Sequence, residues 1–531
     1  MSRPLPNATP PHPVVETLGQ ILGTERLLAD RASRDYYAND IFWQPGIAPL
    51  AIALPENADE LSAVVRAATR AGIAVVPRGG GMSYTKGYLP AKDASIVVDA
   101  RRMNRIVASA PEDGYVTVEA GCDWAKLNEA LEPTGMRTGY WGPLSGANAT
   151  IGGALSQNSA FFGSALHGTV ADSVLGVTVV LANGEIVTTG SAARNGVAPF
   201  TRHGGPDLTG IFLGDNGAFG VKVAATLRLL PRPRHTGTLS FGFVSMAKMA
   251  AAQVEMARTR LVCEGFGIDR TKVEHSASVN RLMDGVKTLA NVVRGQDSVL
   301  AGVKEAVRVA SAGTAFLKDH AFTLHIVSEG RTQGELDAAL AALREIGARH
   351  GVEIENTVPK VMRSMPFGPV RGMLGRDGER WVPIHAVFPL SKAQEVVAAN
   401  DAFFAERRGF MEQHGIVYSV MSMTVGSEFF LEPAFYWHDE ITPLHATSLG
   451  EDVVRPWKDR PANVASRNAV AELRRATQEL YCGLGGASWQ VARDYPFREV
   501  LAPPTWHLLE AVKSAVDPQG LMNPGSLGLA S

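Results

Sequence analysis

The chain has 531 residues, 45% hydrophobic and 20% charged, which suits one large composite domain or two to three ordinary ones. Its 51 basic and 53 acidic side chains leave a formal charge of −2, which argues against a partner held by phosphate neutralisation, nucleic acid included. Cys122, Cys263 and Cys482 form neither a disulfide framework nor a zinc spacing, no apolar run reaches the ~18 residues of a membrane span, and residues 1–13 lack a signal-peptide core, so the expectation is a soluble cytoplasmic protein.

In chain order, residues 51–54 are a short apolar run. Asp59 is the expected cap of a helix whose Leu61, Val64, Val65, Ala68 and Ala71 share one face. Gly72 ends that helix and residues 73–76 read as a buried strand, which runs directly into Pro77-Arg78-Gly79-Gly80-Gly81-Met82-Ser83-Tyr84. This β-α-β unit therefore delivers a glycine loop from a strand end. Three glycines in succession let main-chain N–H groups form an anion nest suited to a phosphate or pyrophosphate. A second small-residue loop, residues 142–153, contains Pro143, Leu144, Ser145, Ala149, Thr150, Gly152 and Gly153, and Gly163 and Gly168 follow it. Asn183-Gly184 predicts a type I′ hairpin between residues 177–182 and 185–187. A third cluster runs from Gly214 through Gly217 and Gly220 to Val221, which opens a strand to residue 230.

Pro231-Arg232-Pro233-Arg234 marks a boundary. Beyond it, residues 236–480 carry longer helical stretches and most of the large aromatics, with strands expected at 322–327 and 381–388. Glycines return at 483–486, and a fourth cluster is Asp517-Pro518-Gln519-Gly520-Leu521-Met522-Asn523-Pro524-Gly525.

Taken in this order, the loop 78–84, the stretches 151–153 and 168–176, the turn 214–221 and the closing 517–525 resemble the signature of the vanillyl-alcohol oxidase/p-cresol methylhydroxylase flavoprotein superfamily. The resemblance implies an α+β fold, with a two-subdomain FAD-binding domain over residues 1–235. It further implies an α+β cap domain over residues 236–484 and a C-terminal segment, 485–531, that returns to the FAD domain. It places residues 77–84 at the pyrophosphate and ribityl chain and residues 143–153 along pyrophosphate and flavin ring. Gly217, Gly220 and Val221 fall near the adenine, and Asn523 at the ring edge. It also implies a small-molecule substrate from aromatic-compound catabolism and oxygen, a cytochrome or a quinone as electron acceptor; members are often homo-oligomers, and the sequence leaves the oligomeric state open.

The chain departs from that pattern in places. Met82 stands where tethering members carry histidine, and residues 424–431 contain no histidine, so non-covalent FAD is expected; His438 and His445 lie further on. Leu144 follows Pro143 where the phenol-oxidising branch has an acid, and residues 486–490 lack its Tyr-Arg pair.

On the substrate side the aromatic stretches 429–439 and 489–497 carry charges that burial makes costly unless paired. Tyr436, Arg493 and Tyr495 are the catalytic candidates, and Arg371, His385, Glu432 and Trp437 the substrate-binding ones. The reading is an FAD-dependent oxidoreductase passing a hydride from a phenolic or benzylic alcohol to flavin N5. Its rivals are a D-2-hydroxy-acid dehydrogenase, with Arg371 or Arg493 on the carboxylate, and a non-redox flavin-binding scaffold. His320 and His325 sit on a strand with no accompanying carboxylate, and no metal site is assigned.

Overall fold

The computed structural model describes residues 12–42, 46–275, 319–367 and 373–529. Helix Ala58–Arg70 shows how the first sheet is built. Asn57, extended at φ −154°, accepts the Glu60 N–H at 2.9 Å, so the cap lies two residues before Asp59. Asp59 occupies the first turn, where an acid favours the positive end of the helix. Leu61, Val64, Val65 and Ala68 are buried along one face, and Gly72, at φ +71°, turns the chain out of the helix. Strand Ala74–Arg78 then pairs in parallel with Ser95–Asp99, Val76 opposite Val97, and releases the glycine loop. It is an edge strand of four, and the C-terminal residues return along its free side. There the Val75 N–H donates to Leu521 O at 2.8 Å and the Asn523 N–H to Val75 O at 2.9 Å.

A six-stranded sheet forms around the long strand Val221–Pro231, which pairs with Tyr115–Glu119 on one side and Val174–Val180 on the other. The hairpin from Val174–Val180 to Ile186–Thr188 exists, but its turn differs from the type I′ expectation. Of the central pair, Gly184 alone has a positive φ (+84°), and the Gly184 N–H donates to Leu181 O. A type I turn closed by a glycine bulge results, because Asn183 uses its Oδ1 to accept the Glu185 N–H.

Past Pro231 the chain enters an eight-stranded sheet at His235–Phe243. The expected strand 381–388 is two pieces, Arg380–Pro383 and Ala386–Pro389, both paired with Glu428–Trp437. The register puts Ile384 opposite Pro433, which has no N–H to continue the ladder. One face of this sheet, with Leu239, Phe241, Leu324, Ile326, Phe429 and Leu431, is buried under helices Met246–Thr259, Gln333–His350 and Ala393–Glu406. The opposite face looks toward the two smaller sheets and forms the wall of a cavity. No described helix is long and apolar enough to cross a membrane.

Candidate active site

The cavity measures about 760 Å³, within the range of cofactor and substrate sites. All of residues 77–84 line it, as do Pro143, Leu144, Ser145, Ala149, Thr150, Gly152, Gly153 and Val221. The glycines of the first loop have a reason other than room for a ligand. A Cβ on Gly79 would lie 2.2 Å from Thr150 Oγ1, and one on Gly80 1.8 Å from Asn148 O. These glycines let the first and second loops touch, and the groove runs past the joined pair. Gly163, Gly168, Gly217 and Gly220 do not line the cavity. Their missing side chains admit Gly139 O, the Asp172 carboxylate, Pro77 and Val180 O respectively.

Arg78 is the charge at this end. It is 3% exposed, and its guanidinium carbon lies 4.6 Å from the Tyr37 and Tyr88 ring centroids and 5.1 Å from that of Tyr36. Its Nε and Nη1 face no hydrogen-bond partner among the described residues. A buried cation that lines a cavity with two idle donors fits a dianionic pyrophosphate. Nearby, Lys222 also borders the cavity, its ammonium held by Asp215 at 2.5 Å and Ser156 at 2.8 Å.

The other end is built by sheet register. Phe266, Met423 and Phe430 form one cross-strand row and Ile268, Met421 and Glu432 the next; Tyr436 lies opposite Trp381. All eight line the cavity, because alternate residues of a strand share a face. Val358, Met362, Met365 and Pro366 close the chamber, with Trp489 stacked on Phe430 at 5.5 Å. Lys272 reaches in from helix Arg270–His275, its ammonium 4.9 Å from the Trp381 ring centroid. Sequence reading missed Lys272, Trp381 and the two methionines. The available signal was the alternation of large and small residues in Phe266-Gly267-Ile268 and Met421-Ser422-Met423.

Glu432 is 7% exposed, and burial pushes its carboxyl up to about 7 against the opposing pull of Lys272. Burial lowers the Lys272 ammonium, while Glu432 and Asp269 pull it back up. The pair thus shares one apolar chamber, each side chain feeling the other's charge.

Several expected residues lie elsewhere. Trp437 follows Tyr436 and so points to the other side of the sheet, where its Nε1 donates to Asp439 at 3.1 Å. His385 and Tyr495 satisfy each other instead of lining the cavity. The Tyr495 hydroxyl accepts the His385 backbone N–H at 3.0 Å and lies 2.8 Å from its Nδ1, and burial lowers the imidazole to about 3, keeping it neutral. Arg493 is a clamp: its guanidinium donates to Pro524 O at 2.9 Å and Lys86 O at 2.8 Å, and also to Leu89 O and Asn523 Oδ1. Asn523 donates onward to Gly87 O at 2.8 Å. Both residues therefore tie the C-terminal segment to the loop following Tyr84 and touch no part of the cavity. Arg371 lies outside the described residues. His438 and His445 do not line the cavity; His445 Nδ1 instead accepts the Thr442 N–H at the start of helix Pro443–Leu449.

Cys263, Glu264 and Glu329 bring three possible metal donors within 4.8 Å of one another. Arg137 and Arg363 already neutralise the two carboxylates, so the donor set holds guanidinium. His325 is engaged at both ring nitrogens, by Ser240 at 2.9 Å and Thr323 at 3.1 Å.

Comparison with solved structures places the fold. Over 98% of this chain and 96% of the other, substrate-bound p-cresol methylhydroxylase superposes with a TM-score of 0.72 at 17% identity. The 4-ethylphenol oxidase of Gulosibacter chungangensis does so over 98% and 97%, at 0.70 and 15%. Residues 49–190 match the FAD binding domain family, and residues 495–527 match the C-terminal domain of FAD linked oxidases. The chain carries an FAD binding domain and the C-terminal domain of FAD linked oxidases, on the fold of p-cresol methylhydroxylase. FAD is its cofactor and it is an FAD-linked oxidoreductase. Among curated relatives of this flavoprotein, glycolate oxidase subunit GlcD of Bacillus subtilis is 29% identical over 65% of this chain and 73% of that protein. The mitochondrial cytochrome-type D-lactate dehydrogenase of Arabidopsis thaliana is 34% identical over 35% of this chain and 31% of that protein.

Proposed function

We propose that this flavoprotein oxidises a phenolic or benzylic alcohol. The observation that carries the reading is Glu432: a carboxyl pushed up to about 7 by burial, beside Lys272 in a chamber walled mainly by aromatic, thioether and aliphatic side chains. Above neutrality it is ionised and takes the hydroxyl proton as the substrate's carbon–oxygen double bond forms. Lys272 offsets negative charge developing on that oxygen. Phe430, Trp489 and Tyr436 give the chamber aromatic surface, and Met421 and Met423 thioethers, both of which suit an aromatic substrate. FAD, when bound, supplies the acceptor for the hydride.

A D-2-hydroxy acid is the second reading. It is favoured by the likeness to the glycolate oxidase subunit and by Lys272, the one cation among the described residues lining this end, as a carboxylate partner. Anaerobic mixing of holoenzyme with vanillyl alcohol, glycolate or D-lactate separates the two. Bleaching of the flavin by the aromatic alcohol alone is the expected result, and bleaching by a hydroxy acid alone replaces the first reading with the second.

We further propose that the flavin is held without a covalent bond, since no described lining residue is a histidine or cysteine. Acid precipitation should leave the yellow colour in the supernatant; a coloured pellet overturns this.

A further inference from the structure

Four charged side chains between the eight-stranded sheet and the second glycine loop remain without a role in the chemistry above. Arg137, on strand Met136–Thr138, grips Glu329 with both terminal nitrogens at 2.8 and 2.5 Å. Arg363 bonds the same Glu329 and also Glu264. Trp141 Nε1 donates to Glu264 at 3.2 Å, and the Arg363 guanidinium carbon lies 4.8 Å from the Trp141 ring centroid. Two cations and two carboxylates cancel, so the cluster is a neutral, mostly buried clasp.

Arg363 belongs to helix Thr357–Ser364, whose Val358 and Met362, one turn apart, face the chamber. Just beyond the helix, Met365 and Pro366 continue the wall. Phe367 seats against the second loop, where a Cβ on Gly146 would approach its ring to 2.3 Å and one on Gly142 to 2.7 Å. The wall segment 357–367 is thus held by charge at Arg363 and by ring packing at Phe367, in addition to the packing of its helix on strands His235–Phe243 and Phe322–Gly330. The sheet side of the chamber is held by its hydrogen-bond ladder, so the placement of this segment bears directly on the chamber's width.

Building on the reading of this chamber as the substrate site, we infer that Arg363 is a positioning residue for specificity. Through the clasp it holds Val358, Met362 and Met365 where they limit the size of the substrate accepted. The chemistry is unchanged by it; the ratio of affinities for slim and bulky ligands is not.

The test uses holoenzyme and two non-reacting probes, phenol and 4-tert-butylphenol, with Kd read from perturbation of the flavin spectrum. The ratio of the two constants within one sample is insensitive to the fraction folded. Arg363→Met should move that ratio roughly tenfold toward the bulky probe. Met362→Ala, which leaves the clasp intact, should move it the same way, and Arg363→Lys should fall between wild type and Arg363→Met. A ratio within twofold of wild type in Arg363→Met overturns the inference, as does the same result in Arg363→Lys if the methionine variant does not fold. Wild type that responds to neither phenol also overturns it. Failure of the wild type to oxidise any aromatic alcohol, with the probe ratios moving as stated, removes the proposed activity alone.

Discussion

Glu432→Gln is expected to lower kcat/KM by roughly 10²–10³-fold and to abolish the acid limb of the pH profile near 7. The glutamine keeps the shape of the side chain and a hydrogen-bonding head, so lost proton acceptance is the main chemical change. A second effect of opposite sign accompanies it. The folded protein holds the Glu432 proton more tightly than an exposed glutamate does, with a value of about 7 against 4.5. Stability from this group is therefore complete below the ordinary glutamate value and is lost as pH rises toward 7. Above that, the ionised carboxylate costs on the order of 3 kcal/mol, a net figure that already includes the attraction of Lys272. Wild type should lose stability relative to Glu432→Gln between pH 5 and pH 8, measured by urea unfolding at both. Parallel stability profiles, or an acid limb that survives in the variant, would remove Glu432 from the proton-accepting role.

The parts of this site legible in the amino-acid order are those written in consecutive residues. Gly79-Gly80-Gly81 announces a close backbone approach wherever it falls, and the helical face of Leu61, Val64, Val65 and Ala68 needs no partner to be recognised. The chamber is different in kind. Phe266, Met423 and Phe430 become neighbours through strand register across more than 150 residues of chain, and no local pattern carries that register. The same limit explains Trp437, chosen for its aromatic company although period-two geometry sends it to the other face from Tyr436. Arg493 shows a further limit. A buried arginine reads as a candidate anion clamp, yet main-chain carbonyls from two segments satisfy it as well as a carboxylate does.

Arg78→Met should separate folding from cofactor binding. Three tyrosine rings surround the guanidinium, and the Tyr37 ring is itself fixed, its hydroxyl donating to Asp99 at 2.5 Å and accepting from Arg101 at 3.0 Å. Cation–π contacts of this kind contribute about 0.5–2 kcal/mol each. Burying a cation with idle donors costs several kcal/mol, so in the apoprotein the two terms nearly cancel. FAD shifts the balance, since a charge-assisted hydrogen bond to its pyrophosphate adds about 1.5–3 kcal/mol. The variant apoprotein should thus melt at or above the wild-type temperature, while FAD affinity, followed by quenching of flavin fluorescence, falls roughly 10²-fold or more. The gain in Tm on adding FAD should shrink accordingly. A variant whose apoprotein is clearly destabilised and whose FAD affinity is unchanged would make the tyrosine cage a purely structural clamp. In that case the pyrophosphate charge must be met from elsewhere in the groove, where Lys222 and Lys272 are the other cations lining it among the described residues.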